Sequence, residues 1–539
     1  MGFCKSLQTL IIFGSMGNQE IHLDLSDMKH LRIFLCNSDN VLVTLTLPEN
    51  LSWFRYRLSG SHNLATTTPM VPRINMLVNL DLKSLSMMET LCESIGEASN
   101  LEVLNLSWTK RLTSLPDSIQ ALGKLNILDL GYSGIYSLPK AFGSLSSLED
   151  LNLWSCAKLT KLPDSFGGLI KLKTLGLSFS GIGSLPKAFG SVSSLADLDL
   201  RSCTKLTKLP DSFGGLIKLK TVRLASSEID SLPESFGSLS SLQDLNLWSC
   251  TKLTKLPHSF GGLKKLKTLG LSFSGIKSLP ESFGSLSSLE DLNLWSCAKL
   301  TKLPDSFGGL KKLKTLGLSL SGINSLPDSF GSLSLLEDLN LQNYWELTKL
   351  PDSFGGLKKL KIVGLAFSGI DSLPESFGSL SSLEVLSFWC CRKLTKLPDS
   401  FGGLKKLKTL RLASSGIDSL PESFGSLSSL EDLDLERCER LTKLPDSFGG
   451  LKKVKTLGLA FSGIDSLPES FGSLSLLEDL NLRRCERLTK LPDSFGGLVK
   501  LKTLLLDYSG MESLPESLGS LSSLKHVGTR GCRKLMTLQ

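Results

Sequence analysis

From Leu101 onward the apolar positions recur on a two-part beat, a 24-residue unit followed by a 23-residue unit. Units of the first kind open at Leu101, Leu148, Leu195, Leu242, Leu289, Leu336, Leu383, Leu430 and Leu477. Those of the second kind open at Leu125, Leu172, Leu219, Leu266, Leu313, Leu360, Leu407, Val454 and Leu501. A less regular unit precedes them at Leu77 and a short one begins at Leu524, so 20 units are legible. Within residues 148–171, Leu151 and Leu153 alternate with Asp150 and Asn152, the period of a half-buried strand. Leu159 and Leu162 carry the chain over the core, Pro163 stops strand pairing, and Phe166 with Leu169 supplies the apolar contacts of the return.

One such unit cannot bury its apolar face alone, so stacking creates the core. The pattern therefore predicts an α/β leucine-rich-repeat solenoid, with a curved parallel β-sheet on the concave face and short irregular or 3₁₀ segments on the convex face. Residues 1–76 read as irregular N-terminal repeats or a cap, 77–523 as the regular array, and 524–539 as a truncated terminal repeat.

Two ladders fix the register. Phenylalanine recurs on the outer turn from Phe142, Phe166 and Phe189 to Phe471 and Phe495, as a stack of rings behind the sheet. Cysteine recurs at Cys156, Cys203, Cys250, Cys297, Cys391, Cys438, Cys485 and Cys532, with Tyr344 on the missing rung and serine in the alternate units. Successive ladder cysteines stand two rungs apart, roughly 10 Å, beyond the roughly 7 Å reach of a disulfide. Free buried thiols are expected, and they favour a reducing compartment. The sequons at Asn50 and Asn105 weigh little against this.

The outward strand positions are acidic or amide in the longer units, as at Asp197 and Asp199 or Asp291 and Asn293, and small in the shorter ones, as at Thr268 and Gly270. At the strand entrance Lys267, Glu290, Lys314, Glu337 and their successors to Lys502 alternate in sign, which serves register and solubility. At the strand exit Trp154, Trp248, Trp295 and Trp389 occupy the seventh place, and Phe179, Phe273, Phe367 and Phe461 the eighth. Towards the C-terminus Glu436, Arg437, Arg483, Arg484, Tyr508 and Arg530 change the character of this strip. Large aromatics on an open face, with arginines beside them, form a candidate protein-binding surface. Packing of the rings on one another along the rim is the structural alternative.

The formal charge of +8 comes largely from the recurring Gly-Gly-Leu-Lys-Lys-Leu-Lys run, as at 261–267. Those lysines solvate the connections and do not interleave with stacking aromatics, so no nucleic-acid partner is expected. No apolar run is long enough to span a membrane. Met1-Gly2-Phe3-Cys4-Lys5-Ser6 matches a lipidation pattern, as chance or a truncated start would also produce. No phosphate loop, dinucleotide fingerprint or zinc motif occurs, and five scattered histidines make no hydrolytic centre. No enzyme activity, cofactor or metal is expected.

The unit LQDLNLWSCTKLTKLPHSFGGLKK at 242–265 resembles the leucine-rich-repeat region of plant intracellular nucleotide-binding immune receptors. Residues 28–34 resemble the opening repeat of the receptors that carry an N-terminal TIR domain, and 47–54 followed by 77–82 resemble their next repeats. The resemblance implies a cytoplasmic or nucleo-cytoplasmic module for recognition and autoregulation in disease resistance. Its implied partners, on the concave face, are a pathogen effector, a guarded host protein or the receptor's own nucleotide-binding module. Neither the TIR nor the nucleotide-binding module is present in this sequence. The extracellular plant type carries asparagine on the ladder and Gly-x-Ile-Pro after it, which this chain lacks. A free-standing intracellular scaffold, similar to the repeat proteins that bind small GTPases, is the alternative that the regular 23-residue units fit.

Overall fold

The computed structural model describes residues 7–15, 21–39, 43–46, 48, 51–58, 74–86 and 88–535. They fall into two compact units, Met1–Leu266 and Lys267–Gln539. The lipidation pattern at 1–6 and the sequon residue Asn50 lie outside the described residues.

In the first unit the strands Thr9–Ser15, Ile33–Asp39, Trp53–Leu58 and Asn79–Asp81 pair in parallel in that order. One three-residue strand per rung then follows, from Val103–Asn105 to Asp244–Asn246. The opening rungs differ in carrying a second sheet, in which Ile21–Asp24 pairs with Val43–Thr46. The second unit repeats the short parallel strand from Thr268–Gly270 to His526–Gly528. Register is set by the central leucine: Leu151 faces Leu175, and Leu269 faces Leu292.

From Asn79–Asp81 onward each strand stops for a backbone reason. The eighth residue of the rung takes a left-handed conformation, as at Ser155 with φ of 58° and Phe179 with φ of 59°, and extended pairing cannot continue through it. The ninth residue then turns inward. Every cysteine of the expected ladder is unpaired. The Cys156 thiol lies 3.2 Å from the Leu130 carbonyl and 3.4 Å from the Ser133 hydroxyl, and Cys438 repeats the arrangement with Leu412 and Ser415. Tyr344 fills the missing rung with its hydroxyl against that of Ser321. Burial pushes the Cys438 thiol up to about 11.

The return segments are 3₁₀ or irregular, with no α-helix among the described residues. Asp164–Gly168 shows why: Pro163 extends the chain before it, and five residues ending in two glycines are too short for α-helix. Serine and aspartate are residue types that commonly cap a helix start. No side-chain cap forms within Asp164–Gly168; hydrogen bonding instead crosses rungs. Glu375 accepts from the backbone N–H groups of Asp399 and Ser400 in the next return, at 3.3 and 3.1 Å.

Behind the sheet the phenylalanine rings stack as expected. In the first unit Phe142 to Phe260 stand 5.6–6.4 Å apart from centroid to centroid, and in the second Phe283 to Phe495 stand 5.8–6.3 Å apart. Parallel strands lie about 4.8 Å apart. Within each unit the back is therefore spaced more widely than the sheet, which places the sheet on the inside of the curve.

Candidate functional site: the strand exits and the outward sheet face

The left-handed eighth residue is the element that builds the site. Its N–H donates to the carbonyl of the seventh residue on the next rung, as from Phe179 to Arg201 at 2.8 Å and from Phe367 to Trp389 at 2.8 Å. The side chain is thereby thrown outward from a locked backbone. Serine, asparagine, cysteine, phenylalanine, tyrosine, tryptophan, leucine and arginine all occupy this place, although a non-glycine residue there is uncommon.

In the first unit Trp108, Tyr132 and Trp154 form one cluster, with centroids 4.4, 5.9 and 6.2 Å apart and the Lys110 ammonium 5.0 Å above Tyr132. Among the described residues Phe179 joins no ring, and it is 53% exposed; Trp248 is also exposed. In the second unit Phe273 meets Trp295 edge to face at 4.6 Å, and Phe367 meets Trp389 in the same way at 4.7 Å, with Trp345 6.2 Å from Phe367. Further along, the Arg437 guanidinium lies 4.7 Å from the Phe461 ring centre, and Arg484 lies between Phe461 and Tyr508 at 5.3 and 5.1 Å.

Leucine-rich-repeat region models match residues 151–254, 198–316, 304–398 and 433–536, and a second leucine-rich-repeat model matches 382–441. The chain belongs to the leucine-rich-repeat family. A leucine-rich-repeat protein of Leptospira interrogans has a similar structure, with 27% identity and a TM-score of 0.55, covering 81% of this chain and 98% of its own. The plant peptide hormone receptor RGFR1 in complex with RGF2 shares 24% identity over 84% of this chain and 89% of its own, with a TM-score of 0.44. A TDR receptor shares 24% identity, covering 84% of this chain and 83% of its own, with a TM-score of 0.48. No curated protein matches in sequence.

On this leucine-rich-repeat scaffold the outward sheet face carries acid in unequal states of pairing. Asp197 is bound to Arg223 at 2.6 Å, Asp199 to Arg201 at 2.7 Å and Asp507 to Arg483 at 2.9 Å. Burial, with Asp129 and Asp197 nearby, raises the pKa of Asp150 above the usual carboxylate range. Asp434 is raised by burial and by Asp432. Asp432 and Asp434 line, with Arg411, Glu436, Gly458 and Asp479, an open cavity of about 430 Å³. A Cβ at Gly458 would meet the Glu436 side chain at 3.0 Å.

The expected strip is thus divided into local groups. Trp154 packs on Trp108 and Tyr132, not on Phe179, and Arg483 spends its guanidinium on Asp507. Arg530 is exposed, and its backbone N–H donates to Asp507. Sequence reasoning missed Trp108, Tyr132 and the 62% exposed Trp345. Counting to the eighth place of the rungs at Leu101 and Leu125 would have found the first two; Trp345 sits at the tenth place of its rung, where no other tryptophan stands.

The strand-entrance charges pair with the preceding rung, as Lys314 with Glu290 at 2.6 Å and Lys408 with Glu384 at 2.7 Å. These hydrogen bonds from lysine lower the pKa of each glutamate. Among the described residues no group of three or more histidine, cysteine, aspartate or glutamate side chains is placed to hold a metal ion. No helix there is long and apolar enough to cross a membrane.

Proposed function

We propose that the chain is a non-catalytic protein-binding module whose partner covers the strand exits and the neighbouring sheet face. The observation that carries this reading is the set of aromatic side chains at the strand exits, most of them exposed, projected from the left-handed eighth residue and from the seventh residue beside it. Trp154, Phe179, Trp248, Phe273, Trp295, Phe367, Trp389 and Phe461 offer large, rigid contact area, and apolar surface of this kind gains free energy when a partner removes it from water. Residues 77–523 are the binding array in this proposal, with 1–76 and 524–539 as its ends.

The finer reading is the recognition and autoregulatory region of a plant disease-resistance receptor, acting in the cytoplasm. The Cys-x-x-Leu-x-x-Leu-Pro units and the opening segment at 28–34 support it. The partner is then an effector, a guarded host protein or the receptor's own nucleotide-binding module. Genomic DNA upstream of Met1 tests this: a coding nucleotide-binding module supports the receptor, and its absence leaves the scaffold similar to small-GTPase-binding repeat proteins.

Binding itself is tested with Trp295→Ser/Trp389→Ser in the full chain. Affinity for a partner recovered by pull-down is expected to fall by roughly tenfold or more. Unchanged affinity in a variant with unchanged circular dichroism rejects the aromatic surface.

A further inference from the structure

The four consecutive rungs from Leu430 to Leu501 carry Arg437, Phe461, Arg484 and Tyr508 at the eighth place. All four are left-handed, with φ of 55–59°. Each N–H donates to the seventh carbonyl of the following rung at 2.7 or 2.8 Å. The side chains therefore rise from fixed points one rung apart and interleave cation, ring, cation and ring.

A cation–π contact supplies no hydrogen-bond acceptor, so the rings leave the guanidinium N–H donors unsatisfied. Among the described residues Arg437 and Arg484 form no ion pair and no side-chain hydrogen bond, while neighbouring Arg483 is held by Asp507 at 2.9 Å. A guanidinium carries five donors in a rigid fork that matches a carboxylate with two parallel hydrogen bonds. An arginine already ordered on aromatic rings loses less conformational freedom when such a pair forms.

We propose that this column docks an acidic segment of a partner protein, with its aspartate or glutamate carboxylates seated on Arg437 and Arg484. The proposal rests on the protein-binding reading above and names the partner's chemistry. Two carboxylates just before Arg437 in the chain are already engaged: Asp434 accepts from the Glu436 N–H at 3.0 Å, and Glu436 accepts from the Asn481 amide at 2.8 Å. Standing at the fifth and seventh places, they repel an acidic segment from the cavity and confine it to the rim.

The test uses the full chain and a fluorescein-labelled octapeptide of alternating glutamate and glycine, read by fluorescence anisotropy at low ionic strength, with a lysine–glycine octapeptide as sign control. Arg437→Ser/Arg484→Ser is expected to weaken glutamate-peptide binding by about tenfold or more. Arg440→Ser/Arg487→Ser removes the same charge outside the column and is expected to change it by less than about twofold. Arg437→Lys/Arg484→Lys keeps the charge but loses the stacked fork, and falls between them. No binding by the native chain, equal losses in the two serine variants, or tighter binding of the lysine peptide overturns the proposal. A recovered partner whose binding survives Arg437→Ser/Arg484→Ser but is lost with Trp295→Ser/Trp389→Ser overturns the acidic assignment and leaves the protein-binding reading intact. A partner indifferent to both variants overturns both.

Discussion

The phenylalanine spine and the strand-exit rim are read from the same repeat, yet they behave in opposite ways. Along the spine of the second unit, ring planes stay within about 6° of parallel from Phe283 to Phe495 and every ring is buried. On the rim, Phe273 and Trp295 meet at 72°, Trp345 and Phe367 at 55°, and arginine replaces aromatic residues near the end. A spine ring must fit copies of itself above and below, so any change of shape there opens a void. A rim side chain has solvent on one side, and its rung is held by backbone hydrogen bonds that its identity does not touch. The repeat thereby fixes the interior and leaves the rim free to vary.

The largest test of this contrast is Phe401→Ala. Its ring lies 6.3 Å from Phe377 and 6.1 Å from Phe424, fully buried, and its removal is expected to cost about 3–5 kcal/mol in urea unfolding. A loss under about 1 kcal/mol would break the argument that the spine is close-packed. Next in size comes Gly143→Ala. A Cβ there would stand 1.8 Å from the Ser165 carbonyl oxygen, so adjacent returns must separate, at a cost of roughly 1–3 kcal/mol in the same measurement.

Most of the interior was legible from sequence because its physics is periodic. The central leucines, the phenylalanine spine, the free-thiol ladder and the lysine–glutamate pairs each follow from residue type at a fixed offset. The cross-rung cap from Glu375 to Asp399 and Ser400 was not legible, because it joins residues 24 and 25 apart whose proximity depends on how two returns stack. The rim was legible only as a stripe. Whether Trp154 turns towards Tyr132 or towards Phe179 depends on the side-chain rotamer at this seventh-place residue, and no period encodes that choice. The unpaired state of Arg437 and Arg484 beside the paired Arg483 likewise depends on where Asp507 falls.

The thiol ladder extends the contrast to titration. Desolvation raises the pKa of the fully buried ladder cysteines from Cys156 to Cys485, to about 11 at Cys438, whereas the hydrogen bond from Ser94 lowers that of exposed Cys92. A thiol whose folded pKa exceeds its unfolded value near 8.5 contributes stability that is fully present below that pH and is lost as pH rises towards the folded value. The unfolding free energy is therefore expected to fall between about pH 9 and 11, by on the order of 2 kcal/mol for Cys438. Cys438→Ala is expected to flatten part of that slope. In a native-state assay with a disulfide reagent at pH 7.5, Cys92 should react before any ladder thiol; rapid labelling of Cys156 or Cys438 would contradict their burial.

The smallest expected effect is the most discriminating for the rim. Trp389→Ser removes an exposed indole whose ring meets Phe367 at 4.7 Å, while the Trp389 carbonyl continues to accept from the Phe367 N–H. Because the backbone ladder is retained and the lost ring contact is half solvated, the stability change should stay below about 1 kcal/mol. Comparison with Phe401→Ala then sets a rim aromatic against a spine aromatic in the same part of the array. If Trp389→Ser instead destabilised the chain as much as Phe401→Ala, the rim rings would be acting as an outer core, and conserving fold rather than meeting a partner would explain why aromatic side chains recur there.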